Sequence, residues 1–318
     1  MNFEIVGKTA VVTAGSLGIG KATALSLAKE GANVAICGRD EGNLEAAVQD
    51  IQSQVDVNIF TSVVDVSDAS QIQRFISEVR GEFGTISILV NNAGGPKVGN
   101  YQTVDSQDWL DAYHLTLRSA VTTTELVLDD MKRAQWGRII NISSFSIKQP
   151  IPEILLSNVM RMGVQGWAKS LSLDISANGI TINTVCPGWT LTDRVKSMFS
   201  DTDGDRRQQE IIDDIPMGRF AHPDEIASIV TFLASQQASY ITGTAINIEE
   251  YVPIQTPQII ARAKSARTAP PKKKIENNAN RVVTDVIVVL DSVSFIDMLN
   301  KANRSSFLYF LRFSLTRS

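Results

Sequence analysis

The sequence of 318 residues contains only two cysteines, Cys37 and Cys186, and two histidines. Two cysteines cannot form a framework of disulfides, so the expected location is a reducing compartment, the cytoplasm. Two histidines without clustered cysteines do not supply the ligand set of a zinc site, so we expect no metal centre. No apolar run approaches the roughly 18 residues that cross a bilayer. The first four residues are not basic and begin no apolar signal-peptide core, which also favours a cytoplasmic protein.

Charge is distributed unevenly along the chain. The whole sequence has a net charge of −4, yet residues 251–318 contain eleven Lys or Arg and only four Asp or Glu. The preceding part is therefore acidic, and we expect no binding of nucleic acid. We expect residues 1–250 to form one domain and residues 251–318 to be a basic C-terminal extension of unknown structure. The apolar and basic segment 307–313 could contact a membrane or a protein partner, or belong to a poorly ordered extension.

Short runs of β-branched residues alternate with longer helical patterns between residues 8 and 248. The predicted strands are 9–13, 33–37, 58–64, 86–91, 138–143, 180–185 and 244–248. The predicted helices are 19–30, 41–53, 69–83, 107–131, 157–177 and 223–236. Such alternation is typical of βαβ units, in which helices cover both faces of a parallel sheet. The expected fold is therefore α/β, with a doubly wound (Rossmann-type), mainly parallel sheet and ligands at the carboxyl ends of its strands.

Residues 13–20, with the sequence TAGSLGIG, follow the first predicted strand and open the first predicted helix. Glycines allow a tight turn and a close approach of the backbone to a pyrophosphate, and the helix N-terminus adds free N–H groups. This strand–turn–helix context indicates a nucleotide site rather than an ordinary turn. The expected cofactor-binding residues of the turn are Ala14, Gly15, Ser16, Gly18, Ile19 and Gly20.

The end of the second predicted strand indicates which dinucleotide binds. Gly38 and Arg39 follow Cys37 there. An acidic residue at this place hydrogen-bonds the ribose 2′-hydroxyl of NAD, whereas an arginine accommodates the 2′-phosphate of NADP. We expect NADP(H) as the preferred cofactor, with NAD(H) as the alternative. The other interpretation is that Arg39 is a solvated surface residue and that Asp40 caps the next helix.

Five motifs follow one another along the chain: the turn at 13–20, Asp65-Val66, Asn91-Asn92-Ala93-Gly94, Asn141-Ile142-Ser143-Ser144 and Pro187-Gly188. Over residues 5–248 the chain thereby resembles the short-chain dehydrogenase/reductase family, and within it the β-ketoacyl carrier-protein-reductase-like branch. The resemblance implies a single Rossmann-type domain with a nicotinamide cofactor, assembled as a homodimer or homotetramer. It also implies that the cofactor contacts Asp65, Val66, Asn91, Ala93, Gly94, Arg161, Pro187, Gly188 and Thr192.

The resemblance further implies a catalytic set of Asn, Ser, Tyr and Lys, of which this sequence keeps one residue type. Ser144 matches the serine. Ser157 stands at the tyrosine position, Arg161 at the lysine position and Thr116 at the asparagine position. Ala14 also replaces the first glycine of the usual turn. We therefore expect an atypical version of the family's site.

These replacements change how a proton could reach the substrate. A tyrosine hydroxyl has a pKa of about 10, which a neighbouring lysine lowers, whereas a serine hydroxyl is much less acidic. Arg161 stays protonated, but it can hold ribose hydroxyls and stabilise an oxyanion. Lys148, or else Lys97, lies in a loop after a predicted strand, and a desolvated lysine can donate a proton. The alternative is that both are solvated loop lysines. The predicted catalytic residues are Ser144, Ser157, Arg161 and Lys148.

Two functions are consistent with this sequence. The first is an NADP(H)-dependent oxidoreductase that interconverts a small-molecule ketone or aldehyde and an alcohol with an atypical proton donor, residues 189–217 forming a lid over the substrate. The second is a catalytically impaired NADP(H)-binding partner or sensor of an active reductase. A scaffold whose basic tail recruits an acidic partner or a membrane is a third, weaker hypothesis. His114 is expected to pack or to face solvent rather than to act in catalysis.

Overall fold

A computed structural model describes residues 2–248. Met1 and residues 249–318 lie outside the described residues, so the prediction of a basic extension at 251–318 is not tested. Within residues 2–248, no helix is both long enough and apolar enough to cross a membrane.

The described part is built on one parallel sheet. Its strands are β1 (Thr9–Val12), β2 (Asn33–Gly38), β3 (Ile59–Val63), β4 (Ile86–Asn91), β5 (Gly137–Ile142), β6 (Ile180–Pro187) and β7 (Ala245–Ile248). They lie in the order β3-β2-β1-β4-β5-β6-β7, and every neighbouring pair is parallel. Each predicted strand is present with small shifts at its ends, and the predicted doubly wound fold is confirmed.

Helices cover both faces of this sheet. Their bounds are α1 (Gly18–Lys29), α2 (Glu41–Gln52), α3 (Ala69–Phe83), α4 (Ser106–Ala112), α5 (Ser119–Ala134), α6 (Leu155–Ile175), α7 (Asp193–Ser197), α8 (Gly204–Asp214) and α9 (Pro223–Leu233). The buried side chains of α1, α2 and α9 pack against one face of the sheet. Those of α3, α5 and α6 pack against the other face.

The central strands are buried on both faces, and most of their residues are apolar. Successive side chains of a strand point to opposite faces. Val12 and Ile36 accordingly belong to the core under α1 and α9, whereas Val11 and Ala35 belong to the core under α3 and α5. All four side chains are inaccessible to solvent. Burial on two faces explains why these strands read as continuous hydrophobic runs rather than as alternating patterns.

The prediction of one continuous helix over 107–131 is wrong. A turn of π-helix, Tyr113–Arg118, separates α4 from α5. Neither glycine nor proline marks the interruption in the sequence, and the periodicity of apolar residues alone cannot locate a single wide turn. Thr116 lies in this turn and is buried. Wide turns of this kind occur often at functional sites.

The segment 189–217, for which a lid is predicted, contains α7 and α8. Its first residues are fixed to the rest of the domain, because Thr190 pairs with Ala221 in an isolated β-bridge. The ring of Trp189 also stacks on that of Phe220, with 5.8 Å between the ring centroids. The start of the segment is therefore held above the carboxyl ends of β5 and β6.

The order of the strands locates the site. The chain moves outward from β1 to β3 in one direction and from β4 to β7 in the other. At such a reversal, neighbouring loops separate and leave a crevice at the carboxyl ends of the strands. The loops after β1, β4 and β5 carry most of the predicted site residues.

Candidate active site

The turn after β1 is shaped to accept an anion. Leu17 precedes α1, its side chain offers no cap, and the first turn of the helix contains no acidic residue. The first N–H groups of α1 therefore lack a side-chain acceptor. A Cβ at Gly20 would overlap the carbonyl oxygen of Ala14, so only glycine fits there. These features fit the pyrophosphate of a dinucleotide, for which helix N-termini supply N–H donors.

Hydrogen bonds tie this turn to the loop after β4. The Thr13 hydroxyl donates to the Asn92 carbonyl at 2.6 Å and accepts from the Asn92 amide at 2.8 Å. The Asn92 side chain donates to the Ala14 carbonyl at 3.1 Å. Ala14 has φ of 45°, in the region that favours glycine. The network therefore holds Ala14 in the shape of the glycine that the family resemblance expects there.

Charged residues follow β2 and β3 at the carboxyl edge of the sheet. Arg39 is exposed. Asp40 accepts a hydrogen bond from the amide of Asn43 at 2.8 Å and thereby caps α2. Asp65 accepts from both the amide and the hydroxyl of Ser67, at 2.9 and 2.7 Å. An exposed Arg39 and a capping Asp40 are the two features of the alternative interpretation, so the contact of Arg39 with a 2′-phosphate stays a prediction.

The last residue of β4 is buried in the domain, and the residues that follow it lie at the crevice. The Asn91 amide nitrogen donates to the hydroxyl of Thr124 at 3.0 Å and to the side-chain oxygen of Asn141 at 2.9 Å. Asn91 is buried, whereas Gly94 is exposed. Asn91 thus links β4 to α5 and β5, and the following residues Ala93 and Gly94 form the rim of the crevice.

The loop after β6 closes the other side of the crevice. Pro187 is the last residue of β6, and the amide of Gly188 donates to the carbonyl of Ile248 at 3.0 Å. The Thr192 hydroxyl caps α7 by accepting from the amide of Val195 at 3.3 Å. A Cβ added at Gly18 would lie 3.1 Å from the Thr192 methyl group. The loop therefore lies directly over the glycine turn.

Three predicted catalytic residues lie where β5 ends and α6 begins. The Arg161 guanidinium donates through Nε to the Ser157 hydroxyl at 3.1 Å. Its Nη1 donates to the carbonyls of Ile142 at 2.9 Å and Ser143 at 3.1 Å. The Ser144 hydroxyl accepts from the amide of Ser146 at 3.1 Å. The spacing of four residues brings Ser157 and Arg161 to one face of α6, as expected.

Arg161 is charged and largely enclosed. Burial, and secondly the charge of Arg194, lower the pKa of its guanidinium to about 10. At neutral pH Arg161 is therefore still protonated, and it acts as a fixed positive charge rather than as a proton carrier.

A small polar cavity adjoins this cluster. Its volume is about 20 Å³, which is room for about one water molecule. Within the described part of the chain, four side-chain atoms of the lining residues have no hydrogen-bond partner: Oδ1 of Asn91, Oγ1 of Thr116, Nδ2 of Asn141 and Oγ of Ser143. Arg161 lines the same cavity. The π-helical turn thus brings Thr116 to the cluster, at the place where the resemblance expects an asparagine.

The two candidate lysines differ in their surroundings. Lys97 forms an ion pair with Asp108, with 2.7 Å from Nζ to Oδ2, and this bond raises the pKa of Lys97. Lys148 follows the short 3₁₀ helix Phe145–Ile147, is exposed, and forms no ion pair among residues 2–248. His114 is exposed and packs edge-on against the ring of Tyr113.

Sequence reasoning missed parts of this arrangement. Asn141 and Ser143 belong to a motif that it noted, but their place in the cavity wall follows from the pairing of β5 with β4 and β6. Arg194 received no role, although its Nη1 donates to the carbonyl of Gly95 at 3.0 Å across the crevice. The sequence feature that could have indicated Arg194 is a positively charged residue two positions after Thr192. Among residues 2–248, no group of three or more His, Cys, Asp or Glu could hold a metal ion.

Comparisons with known proteins agree with this geometry. The sequence profile described as enoyl-(acyl carrier protein) reductase matches residues 13–250. The 3-oxoacyl-(acyl-carrier-protein) reductase of Chlamydia muridarum is 32% identical over 249 residues, which are 78% of this chain and 98% of that protein. The corresponding reductase of Staphylococcus aureus is 35% identical over 243 residues, 76% of this chain and 96% of that protein.

A solved structure extends the likeness to the fold. The L-sorbose reductase of Gluconobacter frateurii, crystallised with NADPH and L-sorbose, is 30% identical with a TM-score of 0.75. The match covers 79% of this chain and 98% of that chain. Together with the glycine turn, the parallel sheet and the cluster at the end of β5, these matches show that the chain belongs to the short-chain dehydrogenase/reductase family, in its 3-oxoacyl-carrier-protein-reductase-like branch.

Proposed function

We propose that the protein is an NADP(H)-dependent oxidoreductase that interconverts a ketone or aldehyde and an alcohol. The observation that carries this proposal is the bond between Ser157 and the enclosed Arg161 beside Ser144, next to a turn that fits a pyrophosphate. Related proteins are reductases of oxo compounds, and one of them holds NADPH together with a sugar. We extend the proposal to a homodimer or homotetramer, for which the exposed side chains of Val159 and Met162 on α6 offer an apolar surface.

The residues at the end of β5 would orient the substrate. When bound, NADPH supplies the hydride. The Ser144 oxygen already accepts a hydrogen bond from the amide of Ser146. Its own hydroxyl proton is therefore available for the carbonyl oxygen of a substrate, which it would hold and polarise.

Ser157 would deliver the proton. Its oxygen accepts a hydrogen bond from Nε of Arg161, so its O–H is free to point at the substrate. As hydride reaches the carbonyl carbon, negative charge develops on the oxygen, and the guanidinium of Arg161 stabilises that charge. The proton passes from Ser157 to this oxygen, which completes the alcohol, and the serine regains a proton from water or from Lys148. Serine is a weaker acid than tyrosine, and general acid catalysis contributes roughly 10²–10⁴-fold, so we expect slow but real turnover.

An NADP(H)-binding partner or sensor of an active reductase is the second candidate. The observation that favours it is that no lysine lies among the residues that line the polar cavity beside Ser143 and Arg161. Such a protein would bind NADPH without oxidising it. Turnover therefore separates the two candidates.

The first test mixes the purified protein with NADPH and a panel of ketones and aldehydes, and follows absorbance and nicotinamide fluorescence. We expect substrate-dependent oxidation of NADPH. Ser144→Ala should lower kcat about 100-fold, because a hydrogen bond to the developing oxyanion is lost. The affinity for NADPH should stay the same. Ser170→Ala, which removes an exposed hydroxyl elsewhere on α6, serves as the control. A Ser144→Ala protein with the full rate would contradict the mechanism, and binding of NADPH without turnover across the panel would favour the sensor.

The second test addresses the choice of cofactor. Arg39→Ala should weaken the binding of NADPH about tenfold or more and leave NADH unaffected, because only the 2′-phosphate offers a charge-assisted hydrogen bond. Fluorescence titrations of both cofactors measure this, with the exposed Arg74→Ala as the matched control. Equal losses for the two cofactors, or none, would remove Arg39 from the phosphate site.

The third test asks whether Lys148 supplies the proton. A lysine donates a proton only while it is protonated, so a reaction that depends on one slows at alkaline pH. Lys148→Met should then lower kcat and abolish this alkaline fall. The exposed Lys132→Met is the control. An unchanged rate and pH profile in Lys148→Met would leave Ser157 and solvent as the proton path.

A further inference from the structure

Two arginines at the carboxyl edge of the sheet have no acidic partner in the described part of the chain. Arg161 and Arg194 form no ion pair with any Asp or Glu of residues 2–248. Most arginines of the lid and the helices do pair with acids, as Arg206 and Arg207 do on α8. Unpaired guanidinium groups at the carboxyl edge of the sheet are available to a ligand.

Arg194 extends from α7 across the crevice, and the residues just before α7 are attached to the rest of the domain. It lies on α7, which follows the bridged residues Thr190 and Ala221. Its Nη1 donates to the Gly95 carbonyl at 3.0 Å. A Cβ at Gly95 would overlap the guanidinium itself. The planar group therefore lies flat on the backbone of Gly95, where any larger residue would displace it.

Arg194 and Thr192 contact different loops of the site. Thr192 lies over Gly18 in that turn, but Arg194 extends to the loop after β4. That strand is the neighbour of β5, at whose end Ser144 stands. Burial first, and then the charge of Arg194, lowers the pKa of Arg161, so the two guanidinium groups are within range of electrostatic repulsion. A bound anion would relieve this repulsion.

We propose that Arg194, supported by the charge of Arg161, binds a carboxylate of the substrate, so that the protein prefers oxo acids to neutral ketones. The proposal names the substrate class of the reductase proposed above and rests on that function. Planar guanidinium groups match carboxylates with paired N–H donors, and the charge makes these hydrogen bonds strong. The same donors could instead hold a cofactor phosphate, and the experiment distinguishes the two sources.

The experiment measures binding, so it does not require turnover. A panel of 2-oxo and 3-oxo acids is titrated against the full chain saturated with NADP⁺, and each acid is compared with its methyl ester, which keeps the shape without the charge. We expect the acids to bind about tenfold or more tightly than the esters. Arg194→Gln should abolish this difference and leave the affinity for NADP⁺ unchanged. Arg206→Gln, on α8 of the same lid, should keep the preference.

A second variant tests the geometry. Gly95→Ala retains Arg194 but places a methyl group where the guanidinium lies, so it should reproduce the loss of preference seen in Arg194→Gln. Thermal unfolding of both variants checks that they are folded.

The remaining outcomes contradict either the proposal or the function on which it rests. Equal affinity of acids and esters in the unchanged protein, or a preference that survives in Arg194→Gln, would overturn it. Weaker binding of NADP⁺ by Arg194→Gln, with the preference intact, would assign Arg194 to a cofactor phosphate. An acid preference that depends on Arg194 in a protein without NADPH turnover would keep the carboxylate site and reject the reductase.

Discussion

The guanidinium of Arg161 joins the end of β5 to the first turns of α6, and the rest of the site is arranged around it. Removing a charge from water is costly unless hydrogen bonds replace the lost hydration. Here the carbonyls of Ile142 and Ser143 and the hydroxyl of Ser157 accept its N–H groups. The same bonds fix the serine hydroxyl and the strand end that carries Ser144. In the proposed reaction, this positive charge would stabilise the negative charge that develops on the carbonyl oxygen.

Arg138, an arginine with a structural environment, provides a contrast to the half-buried Arg161. Arg138 lies at the opposite end of β5 and is fully buried. Its donors reach the carbonyls of Gly137, Gly179 and Ser235 and the side chain of Gln236. Burial lowers the pKa of Arg138 to about 10, as it does for Arg161. Arg138 has acceptors for its donors on every side, whereas Arg161 keeps Nη2 without a partner among residues 2–248 and faces the crevice.

Local patterns were sufficient to predict the sheet and most helices. Strands buried on both faces are short apolar runs, and the alternation with helices leaves few topologies. The break at Tyr113–Arg118 was not predictable, because a π-helical turn has no residue signature comparable to that of glycine or proline. The short helices of the lid also escaped prediction, since their positions depend on contacts such as that of Trp189 with Phe220.

For the candidate site too, some features could be predicted from the sequence and others could not. The strand–turn–helix pattern predicted the turn at 13–20, and the family resemblance assigned Ser144, Ser157 and Arg161 by their positions in the chain. The cavity beside Thr116, Asn141 and Ser143 required the register of β4, β5 and β6. The reach of Arg194 to Gly95 joins residues 99 positions apart. No spacing rule could have indicated that contact.

The most direct test of this account is a single-turnover measurement of hydride transfer in the NADPH complex of Arg161→Met, compared with the unchanged protein. Methionine keeps much of the volume of the side chain and removes its charge and its donors. The account predicts a rate lower by about 10²–10³-fold at saturating NADPH, the magnitude associated with loss of an oxyanion-stabilising donor. A folded Arg161→Met protein that transfers hydride at the unchanged rate would contradict it.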